Sequence, residues 1–205
     1  MNEILPGVFH WTTFHEGIQA YVHSCYIEAT TPACLIDPRV PADGLAWFDG
    51  HKTPGNIYLT NRHHYRHSGQ FADAFGCKIW CHKAGLHEFS KGEKVTGFEH
   101  GVELPGKVKA LEVGVLCPEE TALYLTHAGG ILALGDAIVR DERSRLAFVP
   151  DYLMGEDPEA VKRGLRTVFE GHLQRKFDHL LLAHGKPVIG NGKEKLREFL
   201  ERMKG

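Results

Sequence analysis

The chain has 205 residues, with 24 Lys+Arg against 26 Asp+Glu and a formal charge of −2 at pH 7. That balance excludes a generic polyanion binder, because no cationic excess is present to release counterions from a nucleic acid. Hydrophobic residues at 42% and charged residues at 24% exclude a disordered chain, and the length suits one domain, residues 1–205, with a sizeable core.

The opening Met-Asn-Glu-Ile-Leu-Pro-Gly carries an acid where an export signal needs basic residues, and no apolar stretch is long enough to span a bilayer. A cytoplasmic protein with neither membrane nor nucleic-acid partners is expected. The cysteines, Cys25, Cys34, Cys77, Cys81 and Cys117, are odd in number and lack CxxC spacing, so reduced thiols are the simplest reading.

In chain order, residues 7–13, 20–28 and 32–37 are rich in Val, Ile, Tyr, Cys and Trp and read as strands. A short helix is predicted over 42–48, then a buried strand over 56–59. Residues 68–75 have helical spacing, with Ser68 as N-cap and Gly76 as the stop. A strand follows at 77–81, and 82–106 is polar and Gly-rich with weak signals. Strands are predicted again at 108–115, 121–126 and 130–134, with Gly129-Gly130 as a hairpin turn. The strongest helix prediction is 157–173, where Asp157 caps, Pro158 opens the first turn, and Val161, Leu165, Val168 and Phe169 make an apolar stripe. A strand at 179–183, a loop at 185–192 and an amphipathic helix over 193–203 complete the chain. Strands then helix, twice, predicts an α/β chain of two similar halves.

Histidine is the unusual residue, with 14 copies. The informative segment is Leu59-Thr60-Asn61-Arg62-His63-His64-Tyr65-Arg66-His67-Ser68-Gly69, between a buried strand and a helix, where α/β proteins place their sites. Imidazoles at 64 and 67 on a tight loop can converge on one metal ion; a set of surface histidines is the competing reading. Two further fragments end apolar strands on a ligand-type side chain: Leu132-Ala133-Leu134-Gly135-Asp136 and Leu180-Leu181-Leu182-Ala183-His184-Gly185. A histidine loop, a strand-end Asp and a strand-end His, in that order, form a metal-site constellation.

That order resembles the metallo-β-lactamase fold superfamily over nearly the whole chain. Thr60 to Gly69 is similar to the family's Thr-His-x-His-x-Asp-His-x-Gly-Gly loop, Gly135-Asp136 to its strand-end Gly-Asp, and Ala183-His184-Gly185 to its last Gly-His-Gly. The resemblance implies a four-layer αβ/βα sandwich with the metal site between the sheet edges. It also implies departures. Aligned on His64 and His67, Arg62 replaces the first loop histidine and Arg66 the second-site aspartate; aligned on Pro118, Leu116 replaces the third histidine. His67, Asp136 and His184, with His64 beside them, are then the metal-ligand set for one divalent ion, with Asp136 also in the catalytic role. Zinc leads, with iron or manganese as alternatives.

Two functions from different classes follow. One is a hydrolase in which a single divalent ion acidifies a water for attack on a small ester, thioester or lactone. The other is a metal-free, catalytically inactive relative that captures a small anion through Arg62 and Arg66, or whose Arg66 pairs with Asp136. Cys117 and Glu120 are weighed as substitute ligands or nucleophiles, with a buried structural role favoured for the cysteine. Asp151 is weighed as a polar group overhanging the cleft. Asp136 and His184 more than about 10 Å apart would refute the alignment, since ligands at about 2 Å cannot then share an ion.

Overall fold

In the computed structural model, which describes residues 1–141 and 143–203, most of the expected strands stand where hydrophobic alternation puts them. The first sheet contains β1 (Asn2–Leu5), β2 (Val8–His15), β3 (Ala20–Ile27), β4 (Ala33–Ile36), β5 (Pro54–Tyr58), β6 (Lys78–His82) and β7 (Val95–Phe98), in that order. Pairing is antiparallel through β4 and parallel from β4 to β7. The second sheet holds β8 (Glu103–Leu104), β9 (Val108–Glu112), β10 (Thr121–Leu125) and β11 (Ile131–Leu134). A separate hairpin, β12 (Ile138–Arg140) with β13 (Leu146–Phe148), precedes β14 (His179–Leu182), which pairs parallel to β11 at the sheet edge. The helices are α1 (Ser68–Phe75), α2 (Pro158–His172) and α3 (Gly192–Arg202).

Strand alternation builds the layers, since successive side chains point to opposite faces. From the first sheet, Cys25, Ile27, Cys34, Ile36 and Tyr58 meet Val108, Ala110, Leu123, Leu125, Ile131, Ala133 and Leu181 of the second. The intervening Tyr26, Leu35, Ile57 and Ile79 face outward onto Phe48 and Phe71 of the first helical layer. Likewise Leu132, Leu134, Leu180 and Leu182 turn to Leu165 and Phe169 of α2 and Leu196, Phe199 and Leu200 of α3. The result is a helix–sheet–sheet–helix sandwich of mixed α/β class. No helix among the described residues is long and apolar enough to cross a membrane.

Helix α2 begins as its sequence indicates, with the Asp157 carboxylate accepting from Ala160 N–H at 2.9 Å ahead of Pro158. Helix α1 ends at Gly76, in the left-handed region at φ 71°. The segment predicted as a helix at 42–48 is a 3-10 helix, Leu45–Gly50, since Gly44 and Gly50 bound a stretch too short for α-helical propagation. The short β1, β7 and β8 lack a periodic signal of their own and form by pairing with longer neighbours, while the three-residue strands β12 and β13 pair only with each other.

Gly129-Gly130 is not a two-residue hairpin turn. A 3-10 turn, His127–Gly129, carries the chain from β10 to β11. Gly130, at φ 106°, lies against the 176–177 backbone, where a Cβ would come within 2.4 Å of the Lys176 carbonyl oxygen and 2.7 Å of Phe177 Cα. Both the conformation and the backbone contact exclude a side chain. Gly130→Ala is therefore expected to destabilise the fold by about 2–4 kcal/mol, measured by urea unfolding, whereas Gly171→Ala, with nothing near its added methyl, should leave stability unchanged or raised.

Candidate functional site

The carboxyl ends of β4, β5, β11 and β14 converge where the two sheets meet, the position at which α/β sheets present loops. Backbone hydrogen bonds tie the sheets together there: Thr121 N–H to the Thr60 carbonyl at 2.8 Å, and His23 N–H to the Ala183 carbonyl at 2.9 Å. Gly135 permits the close approach, because a Cβ there would stand 2.9 Å from Thr60 Oγ1.

Three of the expected residues meet at this point: His64, Asp136 and His184. Asp136 Oδ1 lies 3.1 Å from His64 Nε2 and 3.0 Å from His184 Nε2, and the two imidazole nitrogens are 3.4 Å apart. The other Asp136 oxygen, Oδ2, accepts from the Asn61 side-chain amide at 2.6 Å. His64 is buried, and Asp136 and His184 are half-buried.

Behind His64 stands Asp37, a buried carboxylate. Its Oδ1 accepts from Thr60 N–H at 2.9 Å, and its Oδ2 accepts from Thr60 Oγ1 at 2.6 Å and faces His64 Nδ1 at 3.0 Å. Burial alone would depress the His64 pKa, but the carboxylates of Asp136 and Asp37 on either side push it up to about 9. Burial would raise Asp136, but the His64 charge and hydrogen bonds from both imidazoles hold it well below the ordinary range. At His184 burial dominates and lowers the pKa.

His67 does not join this group, so the expected set of His67, Asp136 and His184 is corrected to His64, Asp136 and His184. The turn Arg62–Tyr65 is followed by Arg66 at φ 46°, ψ −117°, which reverses the chain. His67 then points the other way, its backbone N–H donating to the Pro38 carbonyl at 3.1 Å and its Nδ1 accepting from Val40 N–H at 3.0 Å. Arg66 turns inward instead. Its Nη1 donates to the backbone carbonyls of His23 and Asp37, each at 2.7 Å, so it neither pairs directly with Asp136 nor opens onto the cleft as expected. Arg62 is not a free anion binder either: it pairs with Glu119 and lies 3.8 Å from Glu88.

Sequence reasoning missed Asp37 and Asn61. Asp37 ends an apolar strand, Ala33-Cys34-Leu35-Ile36, which is the same signal that singled out Asp136. Of the residues in the 117–120 loop, Cys117 is a half-buried thiol that burial keeps protonated, which removes the nucleophile reading. Glu120 is buried, and its Oε1 accepts from Ala137 N–H at 2.6 Å, while Oε2 has no partner among the described residues. Burial, followed by the Asp136 charge, pushes its pKa up to about 8. Asp151 stands away from the cleft, paired with Lys162 at 2.9 Å.

These shifts set a pH dependence for the metal-free protein. Glu120, ordinarily near 4.5 and about 8 when folded, binds more proton in the native state, so its contribution is lost as pH rises from 4.5 to 8. His64, raised from 6.5 to about 9, contributes stability that is complete below 6.5 and lost as pH rises through 9. Asp37 and Asp136 are lowered, so theirs is lost in acid below 3.8. Stability should therefore peak on the acid side of neutrality and decline towards pH 9. Chemical denaturation across this range should show Glu120→Gln removing part of the alkaline decline, with a gain of about 1 kcal/mol or more at pH 8.5.

No protein-family model matches the sequence, and no curated protein is similar to it. Solved structures are similar in fold. A metallo-beta-lactamase family protein from Thermus thermophilus superposes with a TM-score of 0.66 at 14% identity, over 98% of this chain and 81% of that one. The BLEG-1 B3 metallo-beta-lactamase gives 0.67 at 16% identity, over 96% and 100%. The protein TTHA1623, in a di-iron-bound form, gives 0.66 at 20% identity, over 87% and 94%. With the sandwich and its strand-end site, these likenesses show that the chain is a divergent representative of the metallo-β-lactamase fold.

Proposed function

We propose that the chain is a mononuclear metal-dependent hydrolase of a small ester, thioester or lactone, with the ion held by His64, Asp136 and His184. The observation that carries the reading is the triangle of ligand atoms, with edges of 3.0, 3.1 and 3.4 Å. Ligands about 2.0–2.1 Å from a tetrahedral zinc ion lie about 3.3 Å apart, so the triangle fits one face of such a site and leaves the fourth position open. Zinc suits this donor set; two histidines and a carboxylate also suit iron, and manganese is the third candidate.

The residues around the triangle have definite tasks. Asp37 and Thr60 hold His64 Nδ1, which fixes the ring and directs Nε2 at the site, as outer carboxylates do for metal-binding histidines. Asn61 takes one oxygen of Asp136, so the other faces both imidazoles. A divalent ion on these ligands supplies Lewis acidity and an acidified water at neutral pH. His64 must give up its proton for the ion to bind, because it is charged between its two carboxylates. The formal charge of −2 supports a small-molecule substrate over a nucleic-acid or anionic-membrane partner, and a cytoplasmic location is part of the same proposal.

A second reading has its own observation. A proton on His64 satisfies Asp37 and Asp136 without a metal, so a metal-free, inactive protein is self-consistent. Untagged protein should contain about one divalent ion per chain by elemental analysis if the hydrolase reading holds. That ion should be lost in His184→Ala, with hydrolysis of a thioester and lactone panel lost in Asp136→Asn. Asp37→Asn should weaken metal binding about 10- to 100-fold. Affinity should rise by about tenfold per pH unit, one proton released, until it levels near the His64 value of about 9. Sub-stoichiometric metal together with no thermal stabilisation by zinc, iron or manganese would establish the metal-free reading.

A further inference from the structure

Arg140 is the last residue of β12, on the hairpin that follows Asp136, and it reaches the chain that leaves His184. Its backbone N–H donates to the His184 carbonyl at 2.9 Å. Its guanidinium is given to backbone carbonyls. Nη1 donates to Lys186 at 3.0 Å and to Pro187 at 3.1 Å, while Nε and Nη2 donate to Ser144 at 3.0 and 2.8 Å. None of these partners is a carboxylate, so the rigid planar fork serves here to join two stretches of backbone. One stretch is the turn of the β12–β13 hairpin, and the other is the loop after β14. Gly185 permits the approach. It takes φ 128°, and a Cβ there would come within 2.6 Å of Arg140 Cβ and 2.9 Å of Arg140 N.

Each of the two stretches carries a ligand atom of the triangle. The parallel pairing of β11 with β14 runs only to Leu134 and Leu182, and its last bond is Ala183 N–H to the Leu134 carbonyl at 3.0 Å. Asp136 and His184 both lie beyond it, so the sheet no longer sets their separation. Asp136 has its own supports. Asn61 holds its Oδ2, and the adjacent Ala137 donates its N–H to Glu120 Oε1 and accepts from Val149 N–H at 3.3 Å. His184 has fewer. His64 is held at Nδ1 by Asp37 and Thr60, whereas among the described residues no hydrogen bond fixes Nδ1 of His184. The aim of its ring therefore depends on its backbone, and Arg140 is the residue that grips that backbone.

We propose that Arg140 is a positioning residue for the triangle: by clasping the loop after His184 to the hairpin after Asp136, it sets the 3.0 Å edge between their ligand atoms. Its consequence for metal binding rests on the hydrolase reading, but the edge itself is formed without an ion. Charge and geometry predict opposite effects. Removing a cation near a divalent ion should tighten binding, because like charges repel. Removing a clasp should weaken it, as happens when the groups that orient metal ligands are lost.

Calorimetric zinc titration of untagged wild type, Arg140→Met and Arg140→Lys tests the clasp. Arg140→Met should bind zinc about tenfold more weakly. Arg140→Lys should lose as much, since it keeps the charge and lacks the fork. In metal-free protein, the ring-nitrogen resonances of His184, which report its hydrogen bond to Asp136, should shift towards those of a free imidazole in both variants. The Arg140 N–H bond to His184 survives either substitution, and near-ultraviolet circular dichroism checks that each variant folds; should Arg140→Met not fold, Arg140→Lys carries the same test. Unchanged or tighter zinc binding by Arg140→Met, full binding by Arg140→Lys, or unmoved His184 resonances would overturn the proposal. If the wild type takes up no zinc, the hydrolase reading falls and the His184 resonances alone decide this one.

Discussion

His64 is held at both ring nitrogens by carboxylates, Asp37 at 3.0 Å on Nδ1 and Asp136 at 3.1 Å on Nε2, and the rest of the site is arranged around that clamp. Asp37 ends a strand of the first sheet and Asp136 follows a strand of the second, so one imidazole ties the two sheets where they meet. The clamp makes unusual demands on the backbone. Asp37 adopts φ 47°, a conformation that asparagine and aspartate tolerate better than most side chains. In that conformation its carboxylate reaches back to Thr60, the first residue of the loop that carries His64. Loop, strand end and ligand are thereby fixed by a single buried carboxylate.

The electrostatics follow from the same clamp. Two carboxylates on one imidazole require a positive charge on the ring or an ion beside it, because an uncompensated buried carboxylate costs several kcal/mol. On the proposed reading, proton and divalent ion would be alternatives at one place, and their exchange would couple metal binding to pH. Arg66 supplies a fixed positive charge behind the clamp through the Asp37 backbone, while Glu120, kept protonated by burial and by Asp136, adds little negative charge near neutrality. A metal site beside a buried arginine is tolerable on these terms, since the guanidinium faces the Asp37 carbonyl rather than the ligand atoms.

Much of this was legible in the sequence, and the failures have physical causes. Asp136 and His184 were readable because each stands two positions beyond the last residue of a buried apolar strand, and a strand end fixes where the next side chains stand. Asp37 carries the same signal after Ile36, but the strand prediction over 32–37 takes it in as a strand residue rather than as a strand-end ligand. The histidine loop was harder. His64 and His67 are three residues apart, and which one faces the cleft depends on the reversal at Arg66, whose positive φ no propensity of arginine announces. Nor could spacing show that Arg62 is taken by Glu119 and Glu88, since that contact joins segments distant in sequence. Helices α2 and α3, with their apolar stripes, were read nearly to the residue because each carries its whole signal locally.

The loop Cys117-Pro118-Glu119-Glu120 brings two acids to the surroundings of the site, Glu119 onto Arg62 and Glu120 onto Ala137 N–H. By resemblance, Arg62 and Leu116 stand where two metal-binding histidines belong. Leu116 packs against the core formed by the second sheet with α2 and α3, out of the cleft. Arg62 pairs with the buried Glu119, so the charge that the arginine brings is met inside the fold. The substitutions are mutually consistent in charge: an arginine in place of a histidine brings a cation, and Glu119 arrives from the same loop to neutralise it. Glu120 then turns the other way and takes the backbone N–H of Ala137, bracing the residue beside Asp136. The loop thereby holds Arg62 on one side and the residue beside Asp136 on the other. Substituting Arg62 or Glu119 alone would leave the other without its partner, so the two positions are coupled and act on the loop as a unit.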